Sequence, residues 1–287
     1  MRRPGQTPRG FHCDVVTSAP RVHIVDRPTA TVPGAQAIAR AAHLLRLVSA
    51  AGMTGKGVRE LAADAGLTRT TAHRLLSALR AEGLVDQDER TARWLAGPEL
   101  FLMGAAAAPR YDVTHVAGDI VRSLAVKTEE SAFLSVRRGD ESVCLVREEG
   151  SFPIRSFVLS EGVRFPLGVA SAGLAILSFL PEDDTDAYLS RHPELSSRWG
   201  HTHDAASLRQ RIAETRDRGY AVNPGLIVPG SWGLGAAVFD HAGRPAWALS
   251  LTGVEFRFGA DRLPELGRLL LAHAHQLTTR VQSVRRG

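Results

Sequence analysis

Apolar residues begin to recur at a helical period near Gly34. In AQAIARAAHLLRLVSAAG, Ile38, Ala41, Ala42, Leu45 and Val48 fall on one stripe, and Gly52 stops the run. A second helix is predicted from about Val58 to Ala65, where Val58, Leu61, Ala62 and Ala65 share a face and Gly66 stands in the position of a left-handed cap. Thr68 can cap a third helix through its hydroxyl, and Ala72, Leu75, Leu76 and Leu79 repeat the stripe until Gly83. LVDQDERTARWLAG then reads as two short strands around a polar turn at Asp88–Thr91. A helix at Pro98–Ala108 follows, with Pro98 suited to a first helical turn.

Beyond Pro109 strands and helices alternate. SAFLSVRRGDESVCLV predicts a hairpin turning at Arg138–Gly139–Asp140, and GLGAAVFDHAGRPAWALSLTGV a second one turning at His241–Arg244. PLGVASAGLAILSFL reads as an apolar helix entered through a turn of small residues, AASLRQRIAETRDRG as an amphipathic helix, and Asp261 to Arg286 as a closing helix. Residues 1–33 carry no period and read as a disordered tail. The chain is therefore expected to divide into that tail, a compact helix-turn-helix unit with a strand pair at 34–97, a linker or dimerisation helix at 98–110, and an α/β unit at 111–287.

Charge sharpens this division. The net charge is +5, yet residues 1–110 hold 15 Lys and Arg against 9 Asp and Glu, whereas residues 111–287 hold 20 against 21. The whole positive excess thus belongs to the first part, and a basic unit joined to a neutral one points to a polyanion as the partner of the first. The two cysteines, Cys13 and Cys144, have no metal-ligand spacing and form no disulfide framework, which suits a reducing cytoplasm. The basic N-terminus lacks the continuous apolar core of a signal peptide, and no apolar run reaches the ~18 residues of a membrane helix. A cytoplasmic protein without a membrane partner is expected.

Two short helices, each with one apolar stripe and joined by a tight turn containing glycine, make a helix-turn-helix pattern. Advancing ~100° per residue, the face opposite the stripe of the second helix carries Thr70, His73, Arg74 and Ser77. Arg69 sits at its start, where a recognition helix meets base edges. Arg can grip guanine in two places, and the hydroxyls of Thr68, Thr70, Thr71 and Ser77 suit phosphate or base edges. No acidic residue occurs between Arg69 and Ala81, as a surface facing phosphates requires. The strand pair would form a wing, with Arg90 and Arg93 suited to the DNA backbone beside the groove. An ordinary helical hairpin with a solvated polar face would leave the caps, the missing acids and the strand pair without a common cause.

GVRELAADAGLTRTTAHRLLSALRAEGLV, FPLGVASAGLAIL and RGYAVNPGLIVPGSWGLGAAVFD together resemble the IclR-type bacterial transcription regulators, over residues 34–285. The resemblance implies a winged helix-turn-helix followed by a linker helix and a GAF-like α/β domain that binds an effector. It also implies double-stranded operator DNA bound as a homodimer or a dimer of dimers. Two departures stand out. The wing closes on Trp94-Leu95-Ala96-Gly97 rather than aromatic-x-Leu-Gly, and Leu174 follows Gly173 where the family often has a lysine. By the same resemblance, Ser171 and Ala172 at a helix entry, Asn223, Gly233 and Ser250 are expected to line the effector pocket, with Asn223 standing where related sequences often carry an acid.

For such a pocket the residues suit a small polar ligand. Amides at a helix start favour a carboxylate, Ser171, Asn223 and Ser250 offer hydrogen bonds, and Trp232 and Trp247 are available as walls or as core. An organic acid or aromatic metabolite is the expected effector, and a repressor is expected rather than an activator. Catalysis finds little support. His201 and His203 have no third metal ligand, so no metal site or cofactor is expected. Ser231 is not in a Gly-x-Ser-x-Gly turn, and GLGAA lacks the spacing of a dinucleotide fingerprint.

Overall fold

The computed structural model describes residues 34–107, 113–154, 156 and 158–284. The expected tail at 1–33, the last residue of the expected linker helix, Ala108, and the expected end of the closing helix, Arg286, lie outside the described residues.

Three helices open the chain: α1 (Gln36–Ala50), α2 (Val58–Asp64) and α3 (Arg69–Ala81). Leu44, Leu47 and Val48 of α1 pack with Leu61 and Ala62 of α2 and with Ala72, Leu76 and Leu79 of α3 in one buried cluster. The buried stripe of α1 is rotated from the expected one, because Leu44, Leu45 and Leu47 offer two overlapping helical faces; Ile38 is left 73% exposed. Gly66 and Gly83 both take left-handed backbone, with φ of 62° and 67°, where α2 and α3 end. Glu60 accepts a hydrogen bond from the Gly57 amide at 2.9 Å, and Thr68 Oγ1 accepts one from the Thr71 amide at 3.2 Å, so each helix start has a side-chain acceptor.

The wing consists of β1 (Val85–Gln87) and β2 (Trp94–Ala96), antiparallel with Val85 opposite Ala96. Trp94 is buried in the same cluster as the three helices. Its amide and carbonyl exchange hydrogen bonds with Lys56, which adds a one-residue third strand. The helix α4 (Pro98–Ala107) follows and buries no side chain; Phe101, Leu102 and Met103 are 76%, 55% and 57% exposed.

The remainder is built on a six-stranded antiparallel sheet in the order β5-β4-β3-β8-β7-β6. Its strands are β3 (Ser131–Arg138), β4 (Glu141–Glu148), β5 (Arg164–Pro166), β6 (Ala221–Pro224), β7 (Ser231–Phe239) and β8 (Pro245–Val254). Alternation along each strand sends side chains to two faces. Leu134, Leu234, Ala236, Leu249 and Leu251 pack against α5 (Val113–Thr128) and α10 (Leu263–Val284). The other face meets α6 (Ser171–Ser178), α7 (Glu182–Arg191), α8 (Glu194–Trp199) and α9 (Ala205–Arg218). All eight residues of α6 are buried, so it is a core helix rather than an amphipathic one. The architecture is a winged helix-turn-helix followed by a GAF-like α/β fold, as expected. The sequence pattern had indicated neither α5, α7 and α8 nor the short strands β5 and β6.

Candidate DNA-reading face and effector cavity

Thr68, Arg69, Thr70, His73, Arg74 and Ser77 are all exposed on or beside α3, and Thr71 is half-buried. Thr70, His73, Arg74 and Ser77 lie away from the buried Ala72, Leu76 and Leu79, while Thr68, Arg69 and Thr71 belong to the start of the helix. The side chains of Arg69, Arg74 and Arg90 make no hydrogen bond or ion pair among the described residues, and all three residues are exposed. The hydroxyls of Thr68 and Thr71 lie 2.9 Å apart, tied into the cap. His73 meets the Trp94 ring edge-on at a centroid distance of 6.2 Å, and its Nδ1 lies 3.5 Å from Ser77 Oγ.

Arg93 has a further role in the wing. Its Nε donates to the Thr54 carbonyl at 2.9 Å and to the Gly55 carbonyl at 3.2 Å, and its Nη2 to Gly55 at 3.1 Å. The guanidinium therefore braces the loop before α2 against the wing. Nη1 takes part in neither bond and the side chain is 42% exposed, so a phosphate contact would add to this brace without breaking it.

All five residues expected in the pocket line one cavity between α6 and the sheet: Ser171, Ala172, Asn223, Gly233 and Ser250. Strand register explains their meeting. Asn223 on β6 lies opposite Gly233 on β7, Gly233 lies opposite Thr252 on β8, and Ser250 lies two residues before Thr252 on the same face. Glycine is required on β7. A Cβ at Gly235 would lie 2.3 Å from the Ser171 carbonyl oxygen, and one at Gly233 would lie 3.1 Å from Ser171 Oγ. Their absence lets the start of α6 rest directly on the strand.

The polar atoms of these residues are not equally free. Ser171 Oγ donates to the Leu234 carbonyl at 3.1 Å. Asn223 Nδ2 donates to Val169 O at 2.8 Å, and its Oδ1 accepts from the Leu226 amide at 3.0 Å, so both ends of the amide serve the backbone. Ser250 Oγ and Thr252 Oγ1 are buried with no partner. Thr252, Phe165 and Cys144 also line the cavity and were missed from sequence, as was Ser231 in this role. Trp232 borders the cavity, but it also packs, like Trp247, against the cluster on the opposite face of the sheet. Burial, with the nearby charge of Glu161, pushes the Cys144 thiol up to about 12, so at neutral pH it is a protonated thiol.

Among the described residues, no Asp, Glu, Lys, Arg or His lines this cavity. Among its helix-borne groups, the first amide bonded within α6 is that of Leu174, to Ala170 O at 2.9 Å, so the amides of the first turn have no acceptor inside the helix. The cavity contains about 490 Å³ of space between atoms, its mouth included, but only about 30 Å³ admits the centre of a water molecule. A ligand larger than one or two waters must widen it. Elsewhere, no group of three or more His, Cys, Asp or Glu among the described residues could hold a metal ion, and no described helix is long and apolar enough to cross a membrane. His203, buried in a short 3-10 turn, approaches the Trp199 carbonyl with Nδ1 at 2.9 Å, which is a packing role.

A winged helix-turn-helix joined to an α/β unit with an internal cavity defines a DNA-binding regulator of transcription. The family model described as "IclR helix-turn-helix domain" matches residues 37–89, and "Bacterial transcriptional regulator IclR C-terminal" matches residues 105–279. The chain belongs to the IclR family of bacterial transcriptional regulators. It is 30% identical over 250 residues to the HTH-type transcriptional regulator BhcR of Paracoccus denitrificans (strain Pd 1222), covering 85% of this chain and 87% of that one. It is 28% identical over 246 residues to the HTH-type transcriptional repressor AllR of Escherichia coli (strain K12), covering 86% and 90%. Among solved structures, an IclR homolog complexed with 4-hydroxybenzoate from Microbacterium hydrocarbonoxydans superimposes with a TM-score of 0.69 at 19% identity, covering 86% of this chain and 99% of that one. The relatives are named as regulators, and the chain is not an enzyme.

Proposed function

We propose that this chain is a cytoplasmic repressor that binds double-stranded operator DNA as a homodimer or a dimer of dimers, and that an aromatic or other organic acid in the cavity beside α6 controls it. The observation that carries the effector reading is the pair of buried, unpartnered hydroxyls of Ser250 and Thr252 in a cavity that no charged side chain among the described residues lines. A buried hydroxyl without a partner is unfavourable, and a ligand donor or acceptor would relieve it. A carboxylate would be received by the free amides at the start of α6 rather than by a cation. An aromatic body would lie against Phe165 and Trp232. The 4-hydroxybenzoate in the Microbacterium neighbour and the repressor named among the relatives are in keeping with this reading.

The division into a DNA-reading unit at 34–97, a linker at 98–110 and an effector unit at 111–287 belongs to the same proposal. Arg69, Thr70, His73, Arg74 and Ser77 would read the major groove, Thr68 and Thr71 would fix the start of the recognition helix, and Arg90 would touch the backbone. Arg93 would brace the wing through Nε and Nη2 and touch the backbone through Nη1. The exposed Phe101, Leu102 and Met103 of α4 suit a face covered by a second copy. Because the effector cavity is nearly closed, its ligand must prefer a widened arrangement, and that preference is what allows it to shift operator affinity.

A thermal-shift screen of the full chain with benzoates, hydroxybenzoates, aliphatic acids and neutral aromatics tests the effector class. At ligand concentrations ~100-fold above Kd a specific effector stabilises by about 2.7 kcal/mol. Shifts by hydroxylated aromatic acids that disappear in Ser250→Ala are expected; shifts confined to the neutral aromatics, or shifts by the acids that persist in Ser250→Ala, would contradict the proposal.

A further inference from the structure

Three consecutive carbonyls lead into α6, and each is held by a side chain from a different element. Tyr188 of α7 donates to Leu167 O at 2.6 Å, Arg211 of α9 donates through Nη1 to Gly168 O at 3.3 Å, and Asn223 of β6 donates to Val169 O at 2.8 Å. Arg211 is the charged member of the three. Nη1 also reaches Thr202 O at 3.3 Å, whereas Nε and Nη2 are buried with no acceptor. Among the described residues no carboxylate forms a salt bridge with it. Glu214, one turn further along α9, is turned instead to Arg218 at 2.7 Å and Gln210 at 3.1 Å. Burial, opposed only by the charge of Glu214, lowers the Arg211 guanidinium to about 10.

Arg211 borders a second cavity, on the other side of Trp232 and β6 from the first. Its wall also includes Thr202, Ser207, Arg218 and Thr215. About 440 Å³ of it admits the centre of a water molecule, so unlike the first cavity it is open without any rearrangement. Two arginines against one glutamate give its wall a positive balance, and the glutamate is already paired with Arg218. Nε and Nη2 are closed off from solvent and lack an acceptor, so an oxyanion in the cavity would gain them by drawing the guanidinium away from Gly168 O and Thr202 O.

We propose that this second cavity binds a compact oxyanion, a carboxylate or a phosphate, on Arg211, separately from the effector cavity. The binding itself does not depend on the effector reading. Its consequence does reach the first cavity. Gly168 has a φ of 84°, and a Cβ there would lie 2.9 Å from the Leu208 side chain of α9. Leu208 and Arg211, three residues apart on one helix face, thus both engage this turn. An anion would compete with Gly168 O for the same guanidinium, so occupancy of the second cavity is felt where α6 begins.

Titration calorimetry of the full chain at low ionic strength, with inorganic phosphate in one arm and succinate in the other, tests the site and tells the two sources apart. One anion per chain is expected in at least one arm, with Kd below about 10 mM. Arg211→Met, which keeps the apolar stem, should weaken it about tenfold or more. Arg211→Lys keeps the charge but loses the fork, so it should weaken binding less, and it serves as the reading if Arg211→Met does not fold. Ser250→Val, with inorganic phosphate as the probe, reports whether the anion sits in the first cavity instead. Failure of both anions to bind the wild type, unchanged affinity in the Arg211 variants, or loss of binding in Ser250→Val but not in Arg211→Met would each overturn the proposal. The two readings fail separately, because shifts from the effector cavity are lost in Ser250→Ala and those from the second cavity in Arg211→Met.

Discussion

Ser171 and Ser250 are both buried serines of the effector cavity, and their truncation to alanine should act in opposite directions. Ser171 is 5% exposed and donates to the Leu234 carbonyl at 3.1 Å; Ser250 is 1% exposed and its Oγ has no partner. Ser171→Ala removes a made hydrogen bond, a loss of about 0.5–1.5 kcal/mol. Ser250→Ala removes a hydroxyl that was desolvated without return, which relieves roughly 1–3 kcal/mol. The space left by one oxygen, of order 10–15 Å³, takes back only about 0.3 kcal/mol. The net for Ser250→Ala is a ligand-free protein about 0.7–2.7 kcal/mol more stable. For a domain of this size each kcal/mol moves Tm by about 2–4 °C. Scanning calorimetry of the ligand-free wild type and both variants reads the effect. A fall in Tm for Ser250→Ala equal to that for Ser171→Ala would mean the Ser250 hydroxyl is satisfied without an effector, and the reasoning that assigns it to a ligand would fail.

Gly235→Ala places a Cβ 2.3 Å from the Ser171 carbonyl oxygen, so α6 must lift from β7; overpacking of about 1–3 kcal/mol is expected in urea unfolding, and a variant as stable as wild type would refute the contact. Arg93→Ala should lower Tm by the loss of a charged brace worth about 1.5–3 kcal/mol and reduce the salt slope for DNA binding, and unchanged Tm would refute the brace. His192 is lowered by burial, but hydrogen bonds to Asp140 at 2.8 Å and Glu194 at 2.9 Å outweigh this and raise it above the usual histidine value. Its contribution is then full below the unfolded value of about 6.5 and lost as pH rises through the folded value. Asp140, which burial raises but His192 and Arg191 lower further, adds stability that is lost only in acid. His192→Gln should therefore reduce Tm more at pH 5.5 than at pH 8.5, and an equal reduction at both would contradict the linkage.

The helix-turn-helix was legible because its caps, stripes and missing acids are local signals, each written within a few residues. The structure returned α2 and α3 close to their expected bounds, at Val58–Asp64 and Arg69–Ala81. The face of α1 was not legible, since its crowded leucines satisfy two stripes and only the packing of α2 and α3 selects one. In the effector unit the hairpins were visible from alternation and turn residues. The strand β5 and β6 are three and four residues long, too short to show a period. The five cavity residues came from resemblance, and no local pattern joins Asn223 to Ser250. Thr252 could have been found: in Leu249-Ser250-Leu251-Thr252 the alternation puts two hydroxyls on one face and two leucines on the other. The commitments of Asn223 and Arg93 to backbone carbonyls depend on loops distant in sequence, which residue type alone does not reveal.

The central claim is that the acid-free face of α3 reads an operator. Fluorescence anisotropy with a labelled duplex from the promoter of the chain's own gene, at fixed salt and with an excess of unrelated duplex, tests it directly. The account predicts saturable binding that survives the competitor and an inverted repeat in the protected sequence. Arg69→Ala and Arg74→Ala should each cost roughly 1–3 kcal/mol and relax preference at one position. Equal affinity for the unrelated duplex, with neither arginine making a difference, would contradict it.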